Sequence, residues 1–138
     1  NAVFQWFINP IVTLKYLKKS LNKTGSLLFS TFGSETLTEF RQMANLSDPV
    51  RLFSLNQWKN FIKNSGYKLN SINVEKRKIF YPTTLNLMKN LQQVGAAPVR
   101  VFNAGELRKF IRDYDKLFST EQGRVYATWE LFYFSISI

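Results

Sequence analysis

Residues 26–41 read SLLFSTFGSETLTEFR, and the way this stretch is parsed decides the fold. Leu27, Leu28 and Phe29 form an apolar run that passes through Ser30, Thr31 and Phe32 into Gly33. Ser34 and Glu35 then open a segment with Leu37 and Phe40 at helical spacing. The pattern predicts a buried strand, a glycine turn and a helix beginning near Glu35. In an open α/β sheet, ligands are bound just beyond the carboxyl ends of strands, so the turn is a candidate site.

Working outward, Pro10 suits a helix's first turn, and Ile11, Leu14, Leu17 and Leu21 recur at helical spacing with Lys15, Lys18 and Lys19 around them. Gly25 is the expected cap of that helix. After residue 41, the segment 45–51 with Ser47, Asp48 and Pro49 reads as a loop. Ser54 or Asn56 then caps a helix whose face carries Leu55, Trp58, Phe61 and Ile62, ended by Gly66. Residues 67–81 read as extended, with Lys76, Arg77 and Lys78 as a basic patch. Pro82 closes that strand, and Thr83 or Thr84 starts a helix through Leu85, Met88, Leu91 and Val94. Residues 95–98 end it and 99–105 link to the next. Residues 106–118 place Leu107, Phe110, Ile111, Tyr114 and Leu117 on one helical stripe. Beyond Gly123 the chain is rich in Val, Tyr, Trp, Phe and Ile and closes as a strand. The order helix, strand, helix, helix, strand, helix, helix, strand is that of an α/β layer with three strands and an unpaired edge.

A chain of 138 residues fits one domain and buries about 65–70% of its unfolded surface. No apolar run approaches the ~20 residues of a membrane helix, so a soluble protein is expected. Neither Cys nor His is present, which excludes zinc sites of the usual ligand types, thiol redox chemistry and Ser-His or Cys-His catalysis. Nineteen Lys and Arg against nine Asp and Glu give a formal charge of +10. Such a surplus favours acidic partners, and a solvated surface with a general Lys bias is the plain alternative. The chain opens without Met on an apolar-aromatic segment, as a piece cut from a longer protein would. Asn1 and Ala2 drop out of fold reasoning if they are a cloning remnant.

Four ordered segments together resemble the carboxyl-terminal half of a class I S-adenosylmethionine-dependent methyltransferase, and most closely the malonyl-[acyl-carrier protein] O-methyltransferase family. Asn1-Ala-Val-Phe-Gln-Trp6 resembles the Asn-Ala-x-x-Gln-Trp that follows the family's fourth strand. Phe29-Ser-Thr-Phe-Gly33 with Thr36-Leu-Thr-Glu-Phe-Arg41 resembles its fifth strand and the next helix. Residues 85–96, LNLMKNLQQVGA, resemble its Leu-rich helix ending in Gly-Ala, and 123–138 resemble its closing strand. Trp129 and Glu130 stand where the family usually has Tyr and His, and Phe40 stands for Leu.

The resemblance implies a Rossmann-like α/β sheet, reduced here to about three strands, in one domain over residues 1–138 with lid helices at 83–118. It implies methyl transfer from S-adenosyl-L-methionine to the free carboxylate of malonyl-acyl-carrier protein at the start of biotin synthesis, in the cytoplasm. A carboxylate is already ionised near pH 7, so no catalytic base is needed and none is assigned. Asn1, Ala2, Gln5 and Trp6 would line the cofactor, with Trp6 as simple core the alternative. Phe32, Arg41 and Lys89 would face the substrate, Arg41 as the clamp on its carboxylate; an exposed helix arginine is the plain reading of Arg41. Lys76, Arg77, Lys78, Arg108, Lys109 and Arg112 would receive the acidic carrier protein, and each taken singly is an ordinary solvated charge. No metal site is expected, and no membrane contact. The Gly-x-Gly-x-x-Gly cofactor loop is not found in these residues and would lie before residue 1, so the chain alone is expected to be inactive and to bind the cofactor poorly.

A basic nucleic-acid-binding module is the competing class, motivated by the charge and by Tyr67, Phe80 and Tyr81 beside basic residues. No recognised signature supports it, and absence of oligonucleotide binding at low salt would dismiss it. The unpaired strand at 27–32 predicts self-association through a sheet edge. Sedimentation should show dimers or larger species growing with concentration; a monomer at every concentration refutes the expectation.

Overall fold

The computed structural model describes residues 2–44, 52–94 and 102–138. After a short 3-10 turn at Phe4–Trp6, the elements in chain order are α1 (Pro10–Lys18), β1 (Ser26–Phe32), α2 (Thr38–Met43), α3 (Leu55–Asn64), β2 (Lys68–Tyr81), α4 (Thr84–Gln93), α5 (Ala104–Leu117) and β3 (Val125–Ser137). This is the expected order. The loop read at 45–51, the helix end at 95–98 and the first part of the linker, 99–101, fall outside the described residues, as does Asn1.

The three strands form one sheet in the order β1-β3-β2. β1 and β3 run antiparallel, in register from Ser26 opposite Ser137 to Phe32 opposite Leu131. The central position of β3 explains its composition: a strand flanked on both sides loses solvent along most of its length, and residues 127–130 are all buried.

By internal contacts the chain divides into two compact units. The first comprises Asn1–Thr36, Arg51–Lys76 and Glu130–Ile138, the second Leu37–Val50 and Arg77–Trp129. In the first, α1 and α3 pack on each other. Leu14, Trp58 and Ile62 join Phe4, Phe29, Tyr67, Phe132, Phe134 and Ile136 in one core. The rings of Phe29 and Phe134 stack at 5.0 Å, directly across the β1–β3 pair. Ser54 caps α3 in a reciprocal box with Gln57. At the other end Gly66, at φ +76°, lets the Gly66 N–H reach Lys63 O at 3.0 Å and the Tyr67 N–H reach Ile62 O at 3.2 Å. These two bonds close the helix in a Schellman turn that a side chain would strain.

In the second unit α5 packs on α2 and α4. Phe40 and Phe110 meet edge-on at 4.9 Å, and Tyr114 lies 4.9 Å from Phe118. The Tyr114 hydroxyl, wholly buried, donates to Tyr126 O at 2.8 Å. Asn103 and Glu106 form a second capping box at the start of α5.

Four local expectations are corrected. Gly25 does not cap α1, which ends at Lys18; its N–H instead bonds Asn22 O at 2.8 Å in a separate turn. The helix expected from Glu35 begins at Thr38, because residues 33–37 form a turn tied to β3. On α4 the buried face is Thr84, Leu87 and Leu91, while Leu85 and Val94 are exposed. Gly105 belongs to α5 rather than to the linker, and Leu117 at the end of that helix is exposed.

Burial disfavours the phenolate of Tyr67, Tyr81 and Tyr114, raising each above the ordinary value; the Glu39 carboxylate adds to the effect at Tyr114, and the neighbouring Trp129 side chain partly offsets it at Tyr81. A raised folded-state pKa contributes stability that is complete below about pH 10, the unfolded tyrosine value, and is lost as pH climbs through the folded values. Tyr114→Phe should cost about 1 kcal/mol at neutral pH through the lost hydrogen bond. That deficit should shrink in denaturant titrations taken from about pH 9 to 11, since the variant has no phenol left to ionise. A deficit constant across that range contradicts this account.

Candidate functional site

The turn that follows β1 is held shut by the chain's own side chains. Gly33 N–H donates to Glu130 O at 2.9 Å and Thr36 N–H to Gly33 O at 3.1 Å. The Glu35 N–H donates to Glu130 Oε2 at 2.9 Å. The Thr36 hydroxyl donates to Glu130 O at 3.0 Å and accepts from Glu130 N–H at 3.1 Å. A Cβ placed on Gly33 would lie 2.2 Å from Glu130 Oε2 and 2.5 Å from Phe132 Cζ, so glycine is required here by close approach. The Glu35 amide, which an incoming anion would otherwise use, is occupied by the Glu130 carboxylate.

The second unit repeats this device one step along the chain. Leu37, at φ +57°, donates its N–H to Thr128 O at 2.7 Å and buries its side chain. Glu39, in the first turn of α2, is buried. Its Oε2 accepts the Thr128 N–H at 3.0 Å and its Oε1 accepts the Thr128 hydroxyl. Charge-assisted bonds of this kind are worth about 1.5–3 kcal/mol each, enough to outweigh the roughly 1–2 kcal/mol that a left-handed leucine costs. Sequence reasoning missed Glu39, Thr128 and Glu130 as organising residues. Their partners lie 89 to 95 positions away, and no local pattern signals such a pairing.

Of the residues assigned to the cofactor, Ala2 and Gln5 are brought together. The Gln5 side-chain amide donates to Ala2 O, and the Ala2 N–H donates to Ser30 Oγ at 2.8 Å. Gln5 is buried with its Oε1 unpartnered. Trp6 is 53% exposed, which removes its reading as core. An unpartnered buried acceptor beside an exposed indole fits one wall of a nucleoside site, where the acceptor would take an N–H or O–H and the ring would offer a stacking face. Phe32 ends β1 half-buried, Arg41 is half-buried in the last turn of α2, and Lys89 projects from α4 into solvent.

The six cations assigned to a partner are all exposed. Lys76 pairs with Glu35, Lys78 lies 4.2 Å from the centre of the Tyr126 ring, and Arg112 Nε sits 3.4 Å from Asp113 Oδ1. Arg108 and Arg112, one helical turn apart on α5, share a stripe.

The fold is one found in solved methyltransferase structures. A candidate methyltransferase from Bacillus halodurans superposes with a TM-score of 0.57 at 14% identity, over 97% of this chain and 60% of that one. The YcgJ protein of Bacillus subtilis gives 0.58 at 14%, over 94% and 58%. In sequence the chain is similar to the malonyl-[acyl-carrier protein] O-methyltransferases, as the four ordered segments indicated. It is 28% identical to that of Paenibacillus sp. (strain JDR-2) over 151 residues, covering 94% of this chain and 52% of the relative. The Haemophilus influenzae protein is 28% identical over 135 residues, covering 96% and 51%. A second malonyl-[acyl-carrier protein] O-methyltransferase of Ilyobacter polytropus is 31% identical over 104 residues, covering 70% and 39%. The chain thus spans about half the length of most of the curated relatives it matches. No protein-family model matches it.

Gly33→Ala should destabilise the chain by about 1–3 kcal/mol through overpacking against Glu130. In Gly33→Ala/Glu130→Ala the two costs should fall short of their sum by about 1 kcal/mol, because the smaller residue 130 makes room. Strictly additive denaturant midpoints would show that the clash is not the cause.

Proposed function

We propose that this chain is the carboxyl-terminal portion of an S-adenosylmethionine-dependent O-methyltransferase that acts on the free carboxylate of malonyl-acyl-carrier protein. The observation that carries the reading is the similarity to malonyl-[acyl-carrier protein] O-methyltransferases along 94–99% of the chain in several separate relatives. Supporting it are the exposed Trp6 and the buried, unpartnered Gln5 oxygen, which suit one side of the cofactor.

S-adenosyl-L-methionine, when bound, supplies a methyl group on a positively charged sulfur. The residues of this chain have to bind and orient. The acceptor carboxylate is already anionic near neutral pH, so no side chain needs to take a proton, and the lack of histidine is immaterial. Arg41 is assigned to hold that carboxylate: a guanidinium offers a planar pair of donors and fixes the direction of approach, as such a displacement requires. Phe32 would border the acyl group and Lys89 would add positive charge from α4. The helices within 83–118 would form a lid that limits water. Lys76, Arg77, Lys78, Arg108, Lys109 and Arg112 would attract the acidic carrier protein, raising encounter rates more than final affinity.

The longer protein containing this sequence should convert malonyl-acyl-carrier protein to its methyl ester when given S-adenosyl-L-methionine, as read by mass spectrometry. Arg41→Ala should raise KM for the acceptor about ten-fold or more, with partial rescue in Arg41→Lys. If the longer protein forms no ester, the reading is wrong. The 138-residue chain by itself should give no detectable heat with the cofactor in calorimetry, and tight binding would refute the assignment of the main cofactor loop to other residues.

A further inference from the structure

The second unit holds a surface feature of which the roles above use only Lys78. Phe80 is the next-to-last residue of β2, and Arg124 immediately precedes β3. One Arg124 nitrogen donates to Phe80 O at 3.1 Å, and the guanidinium lies 5.8 Å from the centre of the Phe80 ring. The Phe80 ring in turn meets Tyr126 at 6.3 Å and 63°, and Lys78 Nζ sits 4.2 Å over Tyr126. The result is a continuous ladder of cation, ring, ring and cation.

The loop that presents Arg124 is rigidly built. Thr120 N–H donates to Arg124 O at 2.7 Å, Gly123 N–H to Thr120 O at 2.9 Å, and Ser119 bridges Val125. Gly123 turns at φ +74° with no atom nearby that a Cβ would meet, so its role is purely conformational. Beside the ladder lies an open concavity of about 440 Å³ lined by Phe80, Thr120, Glu121, Gln122 and Arg124. Phe80 is 42% exposed, and among the described residues neither Lys78 nor Arg124 has a carboxylate partner.

We propose that this ridge, centred on Phe80 and Arg124 and flanked by Lys78, is a docking surface for an acidic protein. The inference deepens the reading above by locating on this chain where an acidic carrier would sit. Three arguments support a protein occupant. A net charge of +10 and two cations without counter-charges call for an acidic complement. Aromatic and arginine side chains already held in place lose little freedom on binding, and such residues carry most of the energy at protein interfaces. Glu121 on the same rim would repel a run of phosphates at close range, whereas a protein surface of mixed charge can meet it with a lysine or an amide.

The test measures binding of an acidic acyl-carrier protein to the 138-residue chain by calorimetry, with turnover followed in parallel in the longer protein. Arg124→Glu and Phe80→Ala should each weaken binding about ten-fold or more. Glu121→Lys should tighten it, and Lys59→Glu on α3, an exposed cation with no assigned role, should change it less than two-fold. Circular dichroism melts establish that the variants are folded; if Phe80→Ala is not, Arg124→Glu and Glu121→Lys carry the test between them. Wild-type affinity in the ridge variants, no binding by the unmodified chain, or tighter binding of an oligonucleotide than of the acidic protein each overturns the proposal. Turnover separates the two readings. Ridge variants should raise KM for the carrier-bound acceptor and leave a malonyl thioester of a small thiol unaffected. Absence of turnover with both acceptors defeats the enzymatic reading alone, and the ridge then stands or falls on the binding measurement.

Discussion

The hydrogen bonds that two glutamates make with distant backbone are what the turn region depends on. Glu130, projecting from the central strand, takes the Glu35 amide and packs into the space where Gly33 has no side chain. Glu39 takes both the amide and the hydroxyl of Thr128. Each carboxylate is buried, and a buried carboxylate without donors would cost several kcal/mol. The donors therefore cannot be given up cheaply. The same bonds decide what this turn offers a ligand: its local geometry suits an anion, but the anion in place is a side chain of the chain itself.

Much of the fold was legible in the sequence because its signals are local. The spacing of Ile11, Leu14 and Leu17, the Ser54 cap with Gln57 three residues on, Gly66 and the stripe through Phe110 and Tyr114 each report a helix or its end within a few residues. Two of the errors fall where a distant contact overrides such a signal. Ser34 and Glu35 resemble a helix start, yet the tie to Glu130 draws them into a turn. Leu85 and Val94 fit a helical stripe, yet α5 packs against the side bearing Leu87 and Leu91. Strand pairing was beyond reach for the same reason, since nothing local to residues 26–32 names residues 131–137 as partners.

The candidate site was legible to a smaller degree. Gln5 and Trp6 could be singled out only by resemblance, and the structure adds physical content to that choice by burying the one with an open acceptor and exposing the other. The Phe80–Arg124 ladder carries no motif: its members are 44 positions apart, and each is unremarkable until β2 and β3 bring them together. Counting charge left an acidic partner and a plain solvated surface both open, and pointed to no place for either.

The sheet order carries a consequence for how the chain is made. β3 lies between β1 and β2 but follows both in sequence, so a ribosome delivers the two outer strands before the one that joins them. Until residues beyond 125 emerge, β1 and β2 both lack the strand that lies between them in this sheet, and each leaves open the hydrogen-bonding edge that β3 will take. The exposed face of β2 is interrupted by Lys68, Lys76 and Lys78, charges that discourage pairing with another copy. Lysines placed along a strand in this way disfavour its pairing with another copy of the chain before β3 arrives.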